Sequence, residues 1–357
     1  MNAFHATSPE DVLVGQGELE DRGTCLFEAL ACQPEAARII ARHLVGANLR
    51  GHDSHGVSLI PLYVRMVEEG KVDPSREVAI REVGPSILIA DAFRSFGQVA
   101  AERTIERAIA AARQTGIVIV ALRESHHVGR IGHYAEGCAK AGLASVHFVN
   151  VIGAPPVVAP WGGSEARLHT NPIAIGVPRE GAPPMVLDFA TSRVAQGKMR
   201  IALARGLRVP EGYLIDHEGR PSRDPAVAYG TADTPMGALL PFGTYKGFGL
   251  ALMCELLAGA LGGGRTLNPD TAAQGVYLNN MLSIVFDPAR LDEAGSRDGE
   301  IDSLVAHVLG ASPSEDGPVR LPGDRSLRCL AHRSAHGIPV DRETWDGLAA
   351  IFTRYRV

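Results

Sequence analysis

The sequence lacks the features that mark several classes of protein. Its five cysteines, an odd number, are widely scattered and form no Cys-x-x-Cys pair, which argues against a disulfide framework or a zinc knuckle. No apolar run approaches the roughly 18 residues that a membrane span requires. The segment from Met1 to Glu10 has no basic stretch followed by an apolar one, so it does not read as a secretion signal. These absences predict a cytoplasmic protein with no membrane segment.

Charge and motif content narrow the function further. The formal net charge is −5, so there is no basic surface for a phosphate backbone and nucleic acid is not an expected partner. The sequence contains no Gly-x-Gly-x-x-Gly, no P-loop, no His-Glu-x-x-His and no Gly-x-Ser-x-Gly. The usual dinucleotide fingerprint and the common zinc protease and serine hydrolase signatures are therefore absent.

The composition that is present is typical of a globular α/β protein. The 357 residues are 45% hydrophobic, enough for a sizeable core in two lobes. Apolar residues recur at three- and four-residue steps over 34–49 and 98–114, which predicts amphipathic helices, and an almost wholly apolar stretch predicts a buried or subunit-interface helix at 247–261. We expect an α/β lobe at 117–240 and surface loops or a lid at 290–325. Short apolar or β-branched runs predict strands near 117–122, 145–151, 173–178, 185–190 and 282–287.

The densest polar cluster runs from Gly51 to Gly56 as Gly-His-Asp-Ser-His-Gly. It follows a predicted helix, where a loop can present side chains to a cleft. Histidine is suited to proton exchange near neutral pH, and a neighbouring hydroxyl or carboxylate can fix its tautomer. An ordinary turn, with Asp53 or Ser54 capping the next helix, explains the same residues about as well.

A second cluster, Ser125 to His133, follows a predicted strand and precedes a helix. Turns of this kind bind ligands in open α/β sheets, because helix N-terminal N–H groups attract anions. Gly129 lets the backbone approach a ligand closely, and Arg130 is suited to a phosphate or carboxylate. A plain turn with solvated histidines is the alternative, and paired histidines are also suited to a metal.

Two further segments place polar groups at strand ends. Thr170 lies in a His-Thr-Asn-Pro segment between two strands, and Asp188 ends an apolar run. An aspartate in that place can orient a histidine from elsewhere, although a helix cap fits equally well. The residues alone therefore lead to an α/β enzyme with a histidine-rich cleft, and no further.

Taken together, these segments resemble the type-2 malate/L-lactate dehydrogenase family, which includes malate, lactate, ureidoglycolate and sulfolactate dehydrogenases. The resemblance covers nearly the whole chain and rests on specific motifs. They are Gly51–Gly56, the Ser-His-His-x-Gly turn at 125–129, Thr-Asn-Pro at 170–172, Leu-Asp-Phe-Ala-Thr-Ser at 187–192, Gly-Lys at 197–198, Lys-Gly-Phe-Gly-Leu at 246–250 and Leu-Pro-Gly at 321–323.

The resemblance implies the fold and the cofactor. It implies an α/β, non-Rossmann NAD(P)-binding fold with a mixed sheet and an additional helical region, which accounts for the missing glycine fingerprint. The cofactor-binding domain would be the α/β lobe at 117–240. Residues 1–116 and 241–357 would form the substrate and dimerisation region of a homodimer. NAD and NADP remain equal alternatives, since no marker for the ribose 2′ position can be located, and no metal is expected.

The resemblance also implies site residues and a reaction. His55 would exchange the proton that accompanies hydride transfer between a 2-hydroxy acid and its 2-oxo acid, with Ser54 and Asp188 forming a relay that raises the His55 pKa. The substrate would face His127 and Thr170, with its carboxylate held by Arg130, His127 or backbone donors. The cofactor would lie along Gly129, Arg130, Ile131, Asp188, Phe189, Ala190, Thr191, Ser192, Tyr245, Lys246, Asn279, Pro322, Gly323 and Asp324.

One departure from the family pattern bears on the substrate. Several relatives carry an arginine four residues after the Ser-His-Gly histidine, where this chain has Leu59. Losing a bidentate anion clamp changes the substrate. We therefore expect an apolar or aromatic 2-oxo acid rather than a dicarboxylate.

Three alternatives stay open at this point. The same hydride and proton chemistry would reduce a cyclic imine such as piperideine- or pyrroline-2-carboxylate. A metal-dependent hydrolase or lyase would use His52, His55, His126 and His127 as ligands. A cofactor-binding sensor would bind NAD(P)H without turnover, and the intact Ser54 and His55 argue against it.

Overall fold

The computed structural model describes residues 10–357 except residues 232 and 316. Apart from Glu10, the segment examined above for a secretion signal lies outside the described residues. No described helix is both long enough and apolar enough to cross a membrane. The α-helices are α1 Gln16–Ala29, α2 Pro34–Leu49, α3 Ile60–Glu68, α4 Gly97–Thr115, α5 Gly132–Lys140, α6 Gln196–Ala204, α7 Tyr245–Cys254, α8 Pro269–Ala272, α9 Arg297–Leu309, α10 Asp324–His336 and α11 Arg342–Tyr355.

Strands and shorter helical turns complete the described elements. A π-helix, Glu255–Leu261, continues α7, and 3-10 turns lie at Asp53–His55, Val57–Leu59, Pro225–Ala228 and Pro288–Leu291. The strands are β1 Val12–Val14, β2 Ala79–Gly84, β3 Ile87–Asp91, β4 Ile117–His126, β5 Ala144–Ile152, β6 Ile173–Val177, β7 Met185–Phe189, β8 Leu214–Ile215, β9 Pro221–Ser222, β10 Ala238–Leu239, β11 Leu278–Phe286 and β12 Ile338–Val340.

The central element is a seven-stranded mixed sheet in the order β2-β3-β4-β11-β5-β6-β7. β3 and β4 run parallel, and the other neighbours run antiparallel. Helices α4 and α5 pack against this sheet over a core of alanine, valine and leucine side chains. The mixed α/β architecture expected from the sequence is confirmed.

Three smaller units surround the sheet. Helices α1, α2, α3 and α11 enclose a hydrophobic cluster that includes Phe27, Leu44 and Tyr63. The two-stranded β1–β12 sheet joins the two ends of the chain there. The three-stranded β10-β8-β9 sheet lies with α6 around a separate cluster. The histidine-rich loop that follows α2 lies beside α6, where Ser54 approaches Gly197, and beside the end of β4, where His55 faces His127.

Most predicted elements are found, with two corrections. The segment at 290–325 contains α9, although we expected loops there because of its charged residues, prolines and glycines. Ile301, Leu304, Val305 and Val308 do recur at helical spacing, and none of the residues of α9 is buried. The stretch at 247–261 is helical as predicted, but Leu252, Met253 and Leu256 are exposed. This corrects the buried alternative, and the subunit-interface alternative stays a prediction. The domain boundary at 117–240 stays a prediction, although the sheet extends beyond it through β2, β3 and β11.

Candidate active site

The His55 loop is held between α2 and α6. It begins where α2 ends at Leu49 and contains the 3-10 turn Asp53–His55. Ser54 Oγ lies 3.0 Å from His55 Nδ1, which leaves Nε2 for a ligand. A Cβ on Gly197 would lie 2.7 Å from Ser54 Cβ, so only glycine allows α6 to approach the loop this closely.

Asp53 and His52 fasten the same loop to α10. The buried Arg333 guanidinium donates to Asp53, with Nη1–Oδ1 at 2.6 Å and Nη2–Oδ2 at 3.1 Å. Asn48 Nδ2 donates to the same carboxylate at 2.8 Å, and His52 Nε2 lies 3.3 Å from Ser326 Oγ. A buried charge pair of this geometry breaks only at a large cost. Asp53 therefore anchors the loop and leaves proton exchange to its neighbours.

The paired histidines at 126 and 127 serve different purposes. His126 is fully buried against Tyr63 and Phe96, and neither of its ring nitrogens has a partner. His127 faces His55, with ring centroids 5.5 Å apart in a stacked arrangement. Its Nδ1 lies 2.7 Å from Tyr63 Oη. The structure thus brings His55 and His127 together and places His126 in the core.

Arg130 is already engaged with carboxylates. Its guanidinium is 4% exposed, donates to Glu136 Oε1 at 2.6 Å and lies 3.6 Å from Asp188 Oδ2. Asp188 Oδ2 in turn accepts the backbone N–H of Gly132 at 3.0 Å. Burial raises the pKa of Asp188, against the opposing effects of Arg130 and that N–H. Arg130 is therefore not free to clamp a substrate carboxylate, because its guanidinium is buried and already lies beside Glu136 and Asp188.

The expected rise in the His55 pKa is not found. Burial, together with Arg130 and Lys198, lowers the pKa of His55 to about 4. In the described hydrogen bonds, His55 contacts Ser54, whereas Asp188 contacts Gly132 and the guanidinium of Arg130. Two cations near a half-buried imidazole disfavour its protonation. No described hydrogen bond or salt bridge joins Asp188 to His55; Asp188 lies beside Arg130, whose charge lowers the His55 pKa.

The residues expected to line a cofactor come together at one end of the sheet. The turn from Gly129 to Ile131 meets the end of β7 through the Gly132–Asp188 hydrogen bond. Val186 N donates to Pro322 O at 3.4 Å, which brings Gly323 and Asp324 beside the same strand. Ile131 itself lies in the core of the sheet, so only the backbone of the turn is available to a ligand.

The end of β7 also meets the start of α7. Thr191 donates to Thr170 O through both its backbone N–H, at 2.9 Å, and its Oγ1, at 3.0 Å. Phe242 N donates to Thr191 O at 3.1 Å, and the Phe242 ring contacts Phe189. Tyr245 and Lys246, in the first turn of α7, are exposed beside this junction. The backbone N–H groups of Lys246 and Gly247 already donate to Gly243 O and Phe242 O, so the exposed ammonium of Lys246 is the group here that is suited to a phosphate.

Asn279 holds the turn after His127 in place through two hydrogen bonds. Its side chain is buried, its Oδ1 accepts Val128 N at 2.9 Å, and its Nδ2 donates to Asn150 O at 3.0 Å. With both polar atoms used, the Asn279 side chain fixes the turn after His127 and has no group left for a cofactor. Sequence reasoning could not distinguish these roles, because the partners are distant in sequence: Val128 lies in the turn after β4 and Asn150 lies in β5.

Sequence reasoning also left Lys198 without a role. It lies in α6 next to Gly197 and its charge acts on His55. No salt bridge of the described residues includes it, and burial lowers its pKa, as does Arg325 nearby. Asp53 acts on the Lys198 pKa in the opposite sense, but no described salt bridge joins the two. A half-buried ammonium without a direct ion pair is suited to an anionic ligand. The Gly-Lys motif was the only signal for it.

The one described group with metal-ligand spacing is His43, Glu102 and His133. His43 Nε2 accepts the Arg130 backbone N–H at 3.1 Å, so a neutral His43 carries its proton on Nδ1 and offers no lone pair there. Glu102 already bonds His133 and Arg42. This donor set does not suit a metal, and the set His52, His55, His126 and His127 is not among the described groups with ligand spacing.

Comparison with known proteins identifies the relatives of this chain. A family profile described as malate/L-lactate dehydrogenase matches residues 14–349. Hydroxycarboxylate dehydrogenase B of Escherichia coli K12 is 40% identical over 326 residues, 90% of this chain and 89% of the relative. The Δ1-pyrroline-2-carboxylate/Δ1-piperideine-2-carboxylate reductase of Pseudomonas syringae pv. tomato is 35% identical over 95% of this chain and 96% of the relative. A solved malate/lactate dehydrogenase homologue from E. coli superposes with a TM-score of 0.92 at 37% identity, covering 97% of this chain and 96% of that one.

Proposed function

This chain belongs to the malate/L-lactate dehydrogenase family and is an NAD(P)-dependent 2-hydroxycarboxylate dehydrogenase, and from that premise we propose that it acts on apolar or aromatic substrates. The observation that carries the substrate proposal is Leu59. It is partly buried and packs against the hydrophobic cluster that contains Ile60 and Tyr63. An apolar wall at this position favours an apolar substituent and leaves a second carboxylate without a partner.

His55 is the group that exchanges the proton. With a pKa of about 4 it is neutral near pH 7, so its Nε2 accepts the proton of the substrate hydroxyl during oxidation. When bound, the nicotinamide accepts or supplies the hydride. Ser54, at Nδ1, fixes the orientation of the ring.

Lys198 replaces Arg130 as the proposed anchor of the substrate carboxylate. A carboxylate beside Lys198 offsets one of the two cations that hold the His55 pKa down. The pKa of His55 therefore rises when substrate binds, and His55 can then hold the proton that the developing alkoxide takes during reduction. His127 and the Thr170 segment complete the proposed substrate side of the site.

Asp188 acts on His55 through Arg130 in this arrangement. Arg130 lowers the His55 pKa, and the carboxylates of Asp188 and Glu136 offset part of the Arg130 charge. Asp188 therefore limits how far Arg130 lowers the His55 pKa, although Asp188 does not contact His55.

The cofactor fits the region where β7, the 129–131 turn and the start of α7 meet. A Cβ on Gly247 would lie 2.3 Å from Phe242 O and 2.7 Å from Thr191 O, so the first turn of α7 is pressed against the strand end. The ammonium of Lys246 would hold a phosphate there. We propose NAD or NADP there and leave the choice to measurement.

We also propose that a second copy of the chain covers the exposed face of the α7 and π-helix segment. Tyr245, Met253, Leu256 and Leu261 present an apolar surface there, which monomeric proteins rarely expose over a large area. This surface continues from the proposed cofactor region, so a homodimer would bring its partner close to the site. Light scattering on the purified protein, with Leu256→Asp as a variant that should be monomeric, tests this proposal.

A substrate panel tests the main proposal. Pyruvate, oxaloacetate, phenylpyruvate, hydroxyphenylpyruvate and a cyclic imine are offered with NADH and with NADPH, and oxidation of the reduced nicotinamide is followed. We expect phenylpyruvate to be turned over better than oxaloacetate, and His55→Ala to abolish this turnover. Equal or better turnover of oxaloacetate would contradict the substrate class.

Leu59→Arg sharpens the same test. The new guanidinium should shift the ratio of kcat/KM values toward oxaloacetate by at least tenfold, because it restores an anion clamp. Leu59→Met, of similar volume, is the control and should leave the ratio unchanged. An unchanged ratio in both variants would mean that position 59 does not face the substrate.

Reduction of a cyclic imine is the second candidate. The similarity to the Pseudomonas reductase over nearly the whole chain favours it, and the same hydride and proton transfers would serve. Turnover of the imine with no turnover of any 2-oxo acid would select it.

A further inference from the structure

His127 is the last member of a chain of hydrogen bonds that begins with two buried side chains on different helices. Tyr63 of α3 places its Oη 2.7 Å from His127 Nδ1, and Gln98 of α4 donates from Nε2 to the same Oη at 2.7 Å. Tyr63 and Gln98 are both fully buried. The three groups form an ordered chain of hydrogen bonds that ends beside His55.

The direction of this chain sets the proton on His127. Because the Gln98 amide donates to Tyr63 Oη, the hydroxyl hydrogen of Tyr63 is left to donate to His127 Nδ1. A ring nitrogen that accepts a hydrogen bond carries no proton, so a neutral His127 carries its proton on Nε2. Burial, with His55 and His126 close by, holds the pKa of His127 well below its ordinary value, so the ring is neutral.

We propose that Tyr63 and Gln98 are positioning residues that fix His127 in the Nε2–H tautomer and thereby make it a permanent hydrogen-bond donor to a substrate oxygen. This inference rests on the proposed function, since it assigns His127 to a carbonyl or carboxylate oxygen. Such oxygens are acceptors only, so they require a donor that does not change with pH.

The arrangement divides the work between two neighbouring imidazoles. His55 is bonded to a serine hydroxyl and exchanges a proton, whereas His127 is bonded to a phenol of raised pKa and keeps its proton. The stacked rings would otherwise be interchangeable. Fixing the tautomer of one ring orients the substrate oxygen toward that ring and leaves the reacting hydroxyl to the other.

The first experiment measures the tautomer in the unliganded wild-type protein. Histidine is labelled with ¹⁵N, two-bond ¹H–¹⁵N spectra are recorded, and the signal lost in His127→Asn assigns the ring. We expect the Nε2–H pattern. An Nδ1–H pattern would mean that the Gln98 amide faces Tyr63 with its oxygen, which would overturn the proposal. Because no substrate is present, this result is independent of whether the proposed function holds.

The second experiment uses Tyr63→Phe with Tyr134→Phe as the matched control. Tyr134 is equally buried and donates from Oη to Val128 O at 2.6 Å, on the same turn, without touching His127. Losing one hydrogen bond is commonly a tenfold effect, so Tyr63→Phe should raise KM for the 2-oxo acid about tenfold with a smaller change in kcat. The pH profile, which reports His55, should stay in place.

The control separates positioning from a general loss of stability. Tyr134→Phe should lower the thermal midpoint by a similar amount, with KM and the His127 spectrum unchanged. Equal effects of the two variants on KM, or an unaltered His127 spectrum in Tyr63→Phe, would overturn the proposal.

Discussion

Three buried histidines should make the fold strongly sensitive to mild acid. His126 and His147 are fully buried and His169 is 2% exposed. Burial lowers the pKa of His126 and His147 to about 3 and that of His169 to about 4. An unfolded histidine titrates near 6.5. Between these values the unfolded chain binds protons that the folded chain does not.

The size of the effect follows from this difference in bound protons. All three folded-state pKa values lie below the unfolded value, so the cost is absent above about pH 6.5 and grows as the pH falls toward the folded pKa. Each group contributes a slope of about 1.4 kcal/mol per pH unit, so the three together give about 4 kcal/mol per unit near pH 5. Going from pH 7 to pH 5 should therefore lower the free energy of unfolding by about 5 kcal/mol, a large share of the total for a typical domain.

Urea unfolding at pH 7, 6 and 5, followed by circular dichroism, measures this slope. His126→Phe should reduce the slope near pH 5 by about 1.4 kcal/mol per pH unit, since His126 has aromatic neighbours and no polar partner. His307→Gln, on the exposed face of α9, is the control and should leave it unchanged. A loss of less than about 1 kcal/mol from pH 7 to pH 5, or an unchanged slope in His126→Phe, would refute the reasoning.

Further predictions concern the reaction. Reduction needs protonated His55, whose pKa is about 4. The logarithm of kcat/KM for reduction should therefore fall by about one unit per pH unit from pH 5 to 8, whereas kcat/KM for oxidation should not change with pH. A maximum near pH 7 in both directions would contradict this. Gly197→Ala should lower kcat at least tenfold, because the new methyl group would push Ser54 away. Gly137→Ala is the control, since its methyl group would meet nothing within 4 Å. Equal activities of the two variants would contradict the contact between Gly197 and Ser54. Asp188→Asn should lower kcat for reduction more than for oxidation and change the cofactor Kd little, because it leaves the Arg130 charge less offset; unchanged kcat would exclude this role.

Several local features could be predicted because they depend on short-range patterns. Helix α2 is found at the residues that its apolar periodicity predicts, and Gly116 ends α4 in the left-handed conformation that glycine permits. Strand β4 was recognised from its β-branched run. The hairpin of β2 and β3 is not predicted from the sequence, because four of the six β2 residues are exposed and no clear alternation marks the strand.

The motifs located the site but could not assign the role of each residue. The clusters at 51–56 and 125–133 do meet, and His55 lies beside His127. Yet adjacent histidines at 126 and 127 look alike in sequence, and only the packing of α3 and α4 puts one in the core and the other in the site. Identical residue types at neighbouring positions differ in function when the surrounding elements differ.

What the sequence by itself determined, then, is many of the elements, the family and the segments that form the site, because periodicity and motifs are properties of neighbouring residues. What the tertiary structure alone decided is which charges meet. Arg130 is paired with Glu136 and Asp188, Lys198 takes part in no described salt bridge, and the His55 pKa falls where a rise was expected. Those outcomes depend on the distances between charged groups that are far apart in the chain and on how deeply those groups are buried. Electrostatic energies change with both.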